Sequence, residues 1–487
     1  MGDAITADVL AVRWQLGMTQ PYQALAQPAF AEIIVRNREG SYSPERGGEF
    51  IGKTLRIMSD DGSTIRTHFT GFVDSIEPEA GTQGTQQARI IARGYGAQLQ
   101  QNPANLPAQV NRRADQAINT LLKRGIFRYP VLDGYCIVDR AGYNVIDSIR
   151  IFPAQAIETA LEAGKSTFAY LGDDWDDSLS MAQAVDLLAT SEGGRVFFDR
   201  EGCAVFHNRH HSLIDTSTAA TFHDDFADLR YSYGEDRITQ VQVRSRTRSI
   251  GASHSLLWSL GQPLLLDRNA TVKLTLPYAV DEKPCAALDV ESELAFEAQM
   301  QTIFGIVDAS SYLVVRLIEV GFREAVLEIR NRSNHPITLQ TLEVYGTPLH
   351  IGNRFTVTEK NAMNLALYGL RSLVLDVPAI SSLEEASAVA RYEMLRRGTP
   401  GGTVRTISIS ARTHLQEVLS LTLSDKISIH ESQTGHSGSY IIIGEEHTVD
   451  AGASGHRVTY LLEPDDGERF FVVDRHNLDD NRVLIPR

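Results

Sequence analysis

The side chains best placed to do chemistry lie mid-chain, where His207, His210 and His211 precede His223 and Asp224. Clustered imidazoles beside a carboxylate form the donor set of a zinc site, but no H-E-x-x-H or comparable spacing fixes two of them on one face. The cluster therefore reads as loop histidines beside a strand end. A second candidate is the run GDDWDD at 172–177, with carboxylates at Asp173, Asp174, Asp176 and Asp177. It lacks the D-x-D-x-D-G order of a calcium loop, and its acids suit a solvated turn before a helix. The nucleophile signatures fail as well. GHSGS at 435–439 and GASGH at 452–456 depart from G-x-S-x-G and fall between strand patterns instead of at a strand-to-helix elbow. Gly94, Tyr95 and Gly96 follow a strand pattern, yet Leu99 stands where a dinucleotide fingerprint needs its third glycine. These patterns assign no catalytic, cofactor-binding or metal-ligating residue, and the chain reads as a non-enzyme.

Bulk properties narrow the classes further. A chain of 487 residues exceeds one hydrophobic core and suggests three or four domains. The net charge of −15 argues against a nucleic-acid-binding surface, which needs a Lys/Arg excess, though not against a conduit through which DNA slides. Cys136, Cys203 and Cys285 are too few and too scattered for a disulfide framework or a metal knuckle, which fits synthesis in a reducing cytoplasm. No signal-like start and no membrane-length apolar run occurs, so no membrane span is expected.

The elements around these residues read as mainly β with α+β inserts. From Val404 to Pro464, apolar residues alternate at Val404, Ile407, Ile409, Ile427, Ile429, Ile441, Ile443, Val449, Val458 and Tyr460, with hairpin signals at Gly435, Gly438, Gly452 and Gly455. The same plan runs through FAEIIVRN, KTLRIMSDDG, HFTGFVDSIEP and ARIIARG near the start. Leu55 and Ile57 match Ile427 and Ile429, Gly71 matches Gly444, and Ile76 matches Val449. We expect two tube-type β-barrels, one at 1–98 completed by a strand within 223–250, the other at 351–487 together with a preceding helix and a C-terminal arm. Between them, 99–222 reads as an α+β insert: a helix with Ala117, Ile118, Leu121 and Leu122 inward, a second with Val185, Leu188 and Ala189 inward, then a hairpin turning on Asp199-Arg-Glu-Gly202. Residues 251–350 hold short strands between turn signals, the pattern of a β-sandwich. The helix after Ser382 carries Leu383, Ala386, Val389, Ala390 and Met394 on one stripe, expected to pack on its own barrel.

Taken together, AEIIVRNREGSYSP with HFTGFVDSIEP, AVDLLATSEGGRVFFDREGCAVFHNR, and the Ala-rich helix ending RRGTP before LTLSDKISIH and YIIIGEEHTV resemble the tail hub, or baseplate-hub-like, proteins of long-tailed bacteriophages and related gene-transfer particles. The resemblance spans nearly the whole chain and is weakest at 251–350. It implies a structural virion protein at the tail tip, made in the host cytoplasm, that forms a homotrimer. Such a trimer would adapt a six-fold tail tube to a three-fold tip or spike, with a lumen for the tape-measure protein and DNA. A repeated barrel is what such a symmetry adaptor needs. Some members of the family hold an iron–sulfur cluster, but the three cysteines lack the spacing, so no cofactor is expected. The alternatives are a β-rich virion-associated or secreted hydrolase, for which GDDWDD and His207–His223 are the only candidates, and the hub of a phage-related contractile injection machine.

Overall fold

The computed structural model describes residues 5–46, 50–80, 84–104, 108–125, 155–172, 179–214, 217–399, 401–450 and 455–465, with isolated short pieces between 126 and 154 and beyond 465. Cys136, Asp173 to Asp177, the turn at 451–454 and most of the C-terminal arm lie outside the described residues.

The chain opens with β1 (Val9–Gly17) and continues through β2 (Phe30–Arg36), β3 (Thr54–Asp60), β4 (Ile65–Pro78) and β5 (Gln87–Arg93). Alternation sets the faces: in β2, Ala31, Ile33 and Val35 are buried while the residues between them are not. The strands pair antiparallel in the order β1-β2-β5-β4-β3.

The insert follows with α1 (Ala114–Gly125), α2 (Met181–Glu192) and the hairpin β6 (Arg195–Phe198) to β7 (Ala204–His207). Ser180 caps α2 in a box with Gln183, and Gly193 ends it at φ 72°. Leu121, Leu122, Val185, Leu188 and Ala189 are buried in one core.

Next come β8 (Ala220–His223), β9 (Asp228–Tyr233) and β10 (Gln240–Ile250). The expected return of 223–250 to the first barrel is corrected here. β9 pairs with a strand of the second repeat. β10 pairs with the 24-residue β11 (Ile337–Lys360) and with β12 (Ser372–Asp376). The cause is burial: Val241 and Val243 are buried in the core that the insert shares with the β10–β11 sheet. β11 also carries strands Ser255–Ser259, Ala286–Val290 and Ala295–Thr302. A separate three-stranded sheet of Thr271–Pro277, Glu324–Asn331 and Leu313–Val320 contributes to the same core, which holds Leu276, Leu327, Ile329, Leu339 and Val344.

The stripe of α3 (Leu383–Arg397) does not pack on its own barrel. Ala386, Ala390 and Met394 join the core of Val241, Val243 and Val377, and Leu383 is exposed. Alanines at these two positions let the helix lie close over the β10–β11 sheet.

The second repeat comprises β13 (Gly402–Ser410), β14 (Lys426–Glu431), β15 (His436–Asp450) and β16 (His456–Pro464). Its order, β9-β13-β16-β15-β14, copies that of the first. The copies are not separate bodies. β1 pairs with β15 from Gly17↔Gly444 to Ala11↔Asp450, and both repeats belong to one 11-stranded sheet.

The paired registers also correct the residue matches between the repeats. Asp74 and Ile443 are the bulged residues of β4 and β15. Aligning these bulges keeps Leu55 with Ile427, but it sets Gly71 against Tyr440 and Ile76 against Glu445. Glycines invite matching by identity, whereas a bulge shifts the count by one residue without disturbing the apolar pattern on either side.

Candidate functional site: the joint between the repeats

The polar residues that the fold brings together lie where the repeats meet. Trp14 of β1 is buried with its ring stacked on His447 of β15, centroids 4.6 Å apart and planes at 8°. His68 of β4 and His456 of β16 flank it at 5.6 and 5.5 Å. His447 Nδ1 and His456 Nε2 are 3.0 Å apart, and Ser59 Oγ is 2.7 Å from His68 Nε2. Burial is the main force that keeps these imidazoles neutral: His68 is pushed down to about 3 and His456 to about 4, and His447 is lowered as well.

Arg200 enters this cluster from the β6–β7 turn. Its Nε and Nη2 donate to the two Glu445 oxygens at 2.9 and 2.8 Å, and its guanidinium also caps the carbonyls of Leu419 and Leu421. Burial alone would raise the Glu445 pKa, but the Arg200 charge and its two hydrogen bonds hold it down at about 2, with His447 Nε2 close by at 3.7 Å. The ion pair fastens the insert to the second repeat, and Trp14 and His68 of the first repeat pack on His447 beside it. At the end of the β1–β15 ladder the backbones come close: a Cβ on Gly17 would lie 2.4 Å from the Ile443 carbonyl oxygen, and one on Gly444 2.4 Å from that of Met18. At the solvent side Arg13 is paired with Glu446 at 2.5 Å.

The residues singled out from sequence fall elsewhere. His207 and His211 come together, with rings 3.4 Å apart and 14° from parallel. His207 Nδ1 lies 3.1 Å from Ser424 Oγ and His211 Nδ1 lies 2.5 Å from Glu162 Oε1. Glu162, His207 and His211 thus form a three-residue donor group. Imidazole lone pairs lie in the ring plane, so an ion shared by two stacked rings at about 2.1 Å would sit far out of both planes. Nor do Ser424 and Glu162 form a relay, because each bonds to a different imidazole. His223 stacks on His430, and His210 stands apart with its pKa pushed down to about 4 by burial. Gly435, at φ 70°, makes the hairpin turn before β15, so GHSGS is a turn and a strand start.

A cleft of about 400 Å³ lies beside the stacked pair, lined among others by Arg195, Arg209, Arg396 and Arg397. Its charges are largely satisfied internally: Arg195 and Arg396 both pair with the buried Glu463, and Arg396 and Arg397 lie over the Tyr22 ring at 4.8 and 4.1 Å. Among the described residues no helix is long and apolar enough to cross a membrane.

Sequence reading missed Trp14, His68, His447, His456, Arg200 and Glu445. The one signal available was Arg200 itself, a cation inside a tight hairpin turn, but its partner is 245 residues away.

No family model and no curated protein matches the sequence. Among solved structures, the chain is similar to a tail protein from Neisseria meningitidis MC58, with a TM-score of 0.50 and 9% identity over 94% of this chain and 97% of that one. It is also similar to the 43 kDa tail protein of prophage MuSo2 from Shewanella oneidensis, at TM-score 0.45 and 10% identity over 94% and 95% of the two chains. A third is an E. coli component of the type VI secretion system described as similar to the phage T4 tail proteins gp27 and gp5, at TM-score 0.41 and 9% identity over 99% and 77%. The chain shares the fold of the Neisseria tail protein, mainly β with a few helices.

Proposed function

We propose that this protein is a structural tail hub: a homotrimer whose six repeats ring a channel, joining a six-fold tail tube on one side to a three-fold tip or spike on the other. The observation that carries the reading is the internal repeat. Two units of the same strand order share one sheet, so three chains supply six near-equivalent positions while retaining three-fold symmetry elsewhere. The insert and the sandwich then lie outside the ring and supply contacts to neighbouring tail proteins. The channel passes the tape-measure protein and DNA, and the net charge of −15 accords with a wall that repels phosphate. No chemistry is assigned to the chain, in keeping with the split Ser424–His207 and His211–Glu162 pairs.

Negative-stain imaging and native mass measurement of the purified protein, alone and with its tube-end partner, test this. A three-fold ring with a central hole is expected. A strict monomer under both conditions, or a basic lumen, overturns it. Replacing Asp173, Asp174, His207 and His210 leaves particle assembly intact on this reading and abolishes lytic activity on the hydrolase reading.

A further inference from the structure

The joint within the chain has a counterpart that is left open at both ends of the sheet. β1 flanks β2 as β9 flanks β13, antiparallel in both cases, so β9 is the second repeat's β1. The other edge of β1 is filled by β15, but among the described residues no strand fills the other edge of β9. β4 is the first repeat's β15. Its edge beyond the bulge, from Ser75 to Ala80, corresponds to the segment of β15 that β1 covers, and among the described residues no strand pairs there.

We infer that β9 of one copy of this chain adds to the free edge of β4 in the next copy, in the register that β1 adopts on β15. The inference rests on the ring reading above and specifies how that ring closes. The register follows from residues already paired. Ile33 lies opposite Ile90 as Ile407 lies opposite Tyr460, and Val12 faces Ile33 as Leu229 faces Ile407. Leu229 therefore stands for Val12 and Arg230 for Arg13. On the receiving strand, Glu77 lies three residues past the bulged Asp74 as Glu446 lies three past Ile443. The Arg13–Glu446 ion pair of the inner joint thus reappears between copies as Arg230 with Glu77, and Glu79 comes directly opposite Arg230.

Both partners are well placed for this. The side chains of Arg230 and Glu77 are 69% and 58% exposed, with long ion-pair contacts of 3.9 Å to Glu235 and 3.6 Å to Arg89 among the described residues. Tyr233, 70% exposed at the end of β9, comes to lie opposite Ile76. Glu79 N–H donates to Gln87, toward β5, so the neighbouring Pro78 presents its nitrogen to the open edge. Proline there removes one ladder bond from the seam and discourages indiscriminate strand addition, a usual defence of an edge strand.

The test is a cross-link in the full-length protein. Gly444↔Gly17 is a non-hydrogen-bonded pair, since Met18 N–H donates to the Ile443 carbonyl. Its counterpart is Ser75 opposite Gly234; two residues along, Glu77 opposite Ser232, the counterpart of Glu446↔Gln15, is likewise a non-hydrogen-bonded pair and should place the Cα atoms about 4.5 Å apart, within disulfide reach. The E77C/S232C protein is expected to oxidise to a covalent closed trimer, while E77C and S232C alone remain uncross-linked. R230E should raise the concentration at which rings form by about tenfold, and E77R in the same chain should bring it back. A native trimer that gives no cross-link beyond the single variants, and is indifferent to R230E, overturns the seam and leaves the hub reading standing. Covalent dimers that never close to three overturn the ring geometry. A chain that stays monomeric with its tube-end partner and never cross-links overturns both.

Discussion

Replacing Arg200 with Met should loosen the joint between the repeats more than any surface change. The substitution keeps an aliphatic stem of similar length but removes both hydrogen bonds to Glu445 and the caps on the Leu419 and Leu421 carbonyls. Glu445 is then a fully buried carboxylate without a counter-ion, and breaking a buried pair from one side costs about 3–5 kcal/mol. Hydrogen exchange of peptides covering 9–17 and 444–450 reads the opening of this joint directly, and 3 kcal/mol or more corresponds to roughly a hundredfold or greater acceleration at pH 7. The sign of the pH dependence follows from the charge. Without Arg200 the folded-state pKa of Glu445 rises above its unfolded value, so the penalty is full at high pH and fades as pH falls through the raised pKa, where the carboxyl takes a proton. R200M combined with E445L removes both charges and should lie within about 2 kcal/mol of the natural protein. If R200M exchanges no faster than the natural protein, or if the double variant is no better than R200M alone, the joint is not held by this pair.

Two further outcomes follow from the same region. Burial holds His68 down to about 3 and His456 to about 4 and lowers His447 in the same direction, so the unfolded chain binds protons from about pH 6.5 downward before the folded chain does. Stability should therefore fall as pH drops from 6.5 to 4, by up to about 3 kcal/mol for each of His68 and His456; urea midpoints at pH 7 and 5 measure it, H68Q should reduce the slope, and a flat profile refutes it. Gly444→Ala places a Cβ 2.4 Å from the Met18 carbonyl oxygen and should cost about 2 kcal/mol or more, whereas Gly435→Ala, with nothing near its Cβ but a φ of 70°, should cost only about 1 kcal/mol; equal melting shifts for the two would contradict the close approach.

What was legible in the sequence is what rests on short-range periodicity. The alternation in Phe30–Arg36 and Gly402–Ser410, the helical spacing in Ala114–Gly125 and the turn at Asp199–Gly202 all reflect neighbours within a few residues, and each gives the element seen. The repeat itself was readable because both copies keep the same apolar order. The alignment failed at Gly71 because the bulges at Asp74 and Ile443 leave no trace in a period-two pattern. Val241 and Val243 announced a strand but not which sheet would take it, since two sheets offer an edge of the same chemistry. The cluster of Trp14, His68, His447 and Arg200 was unreadable for a related reason: its members come from β1, β4, β15 and the β6–β7 turn, and none carries a local signature of its partners.

β11 runs unbroken for 24 residues, first through the sandwich and then alongside β10 beneath α3. At about 3.3 Å per residue such a strand extends up to roughly 80 Å, and no linker interrupts it where one core gives way to the next. The sandwich is consequently a lever and not a pendant: force applied to it by a neighbouring protein reaches the β10–β12 sheet as shear along hydrogen-bonded backbone. Load applied at the periphery would thus pass inward along two covalently continuous strands, β10 and β11, with the bulge of β11 at 352–353 as the place where they can bend.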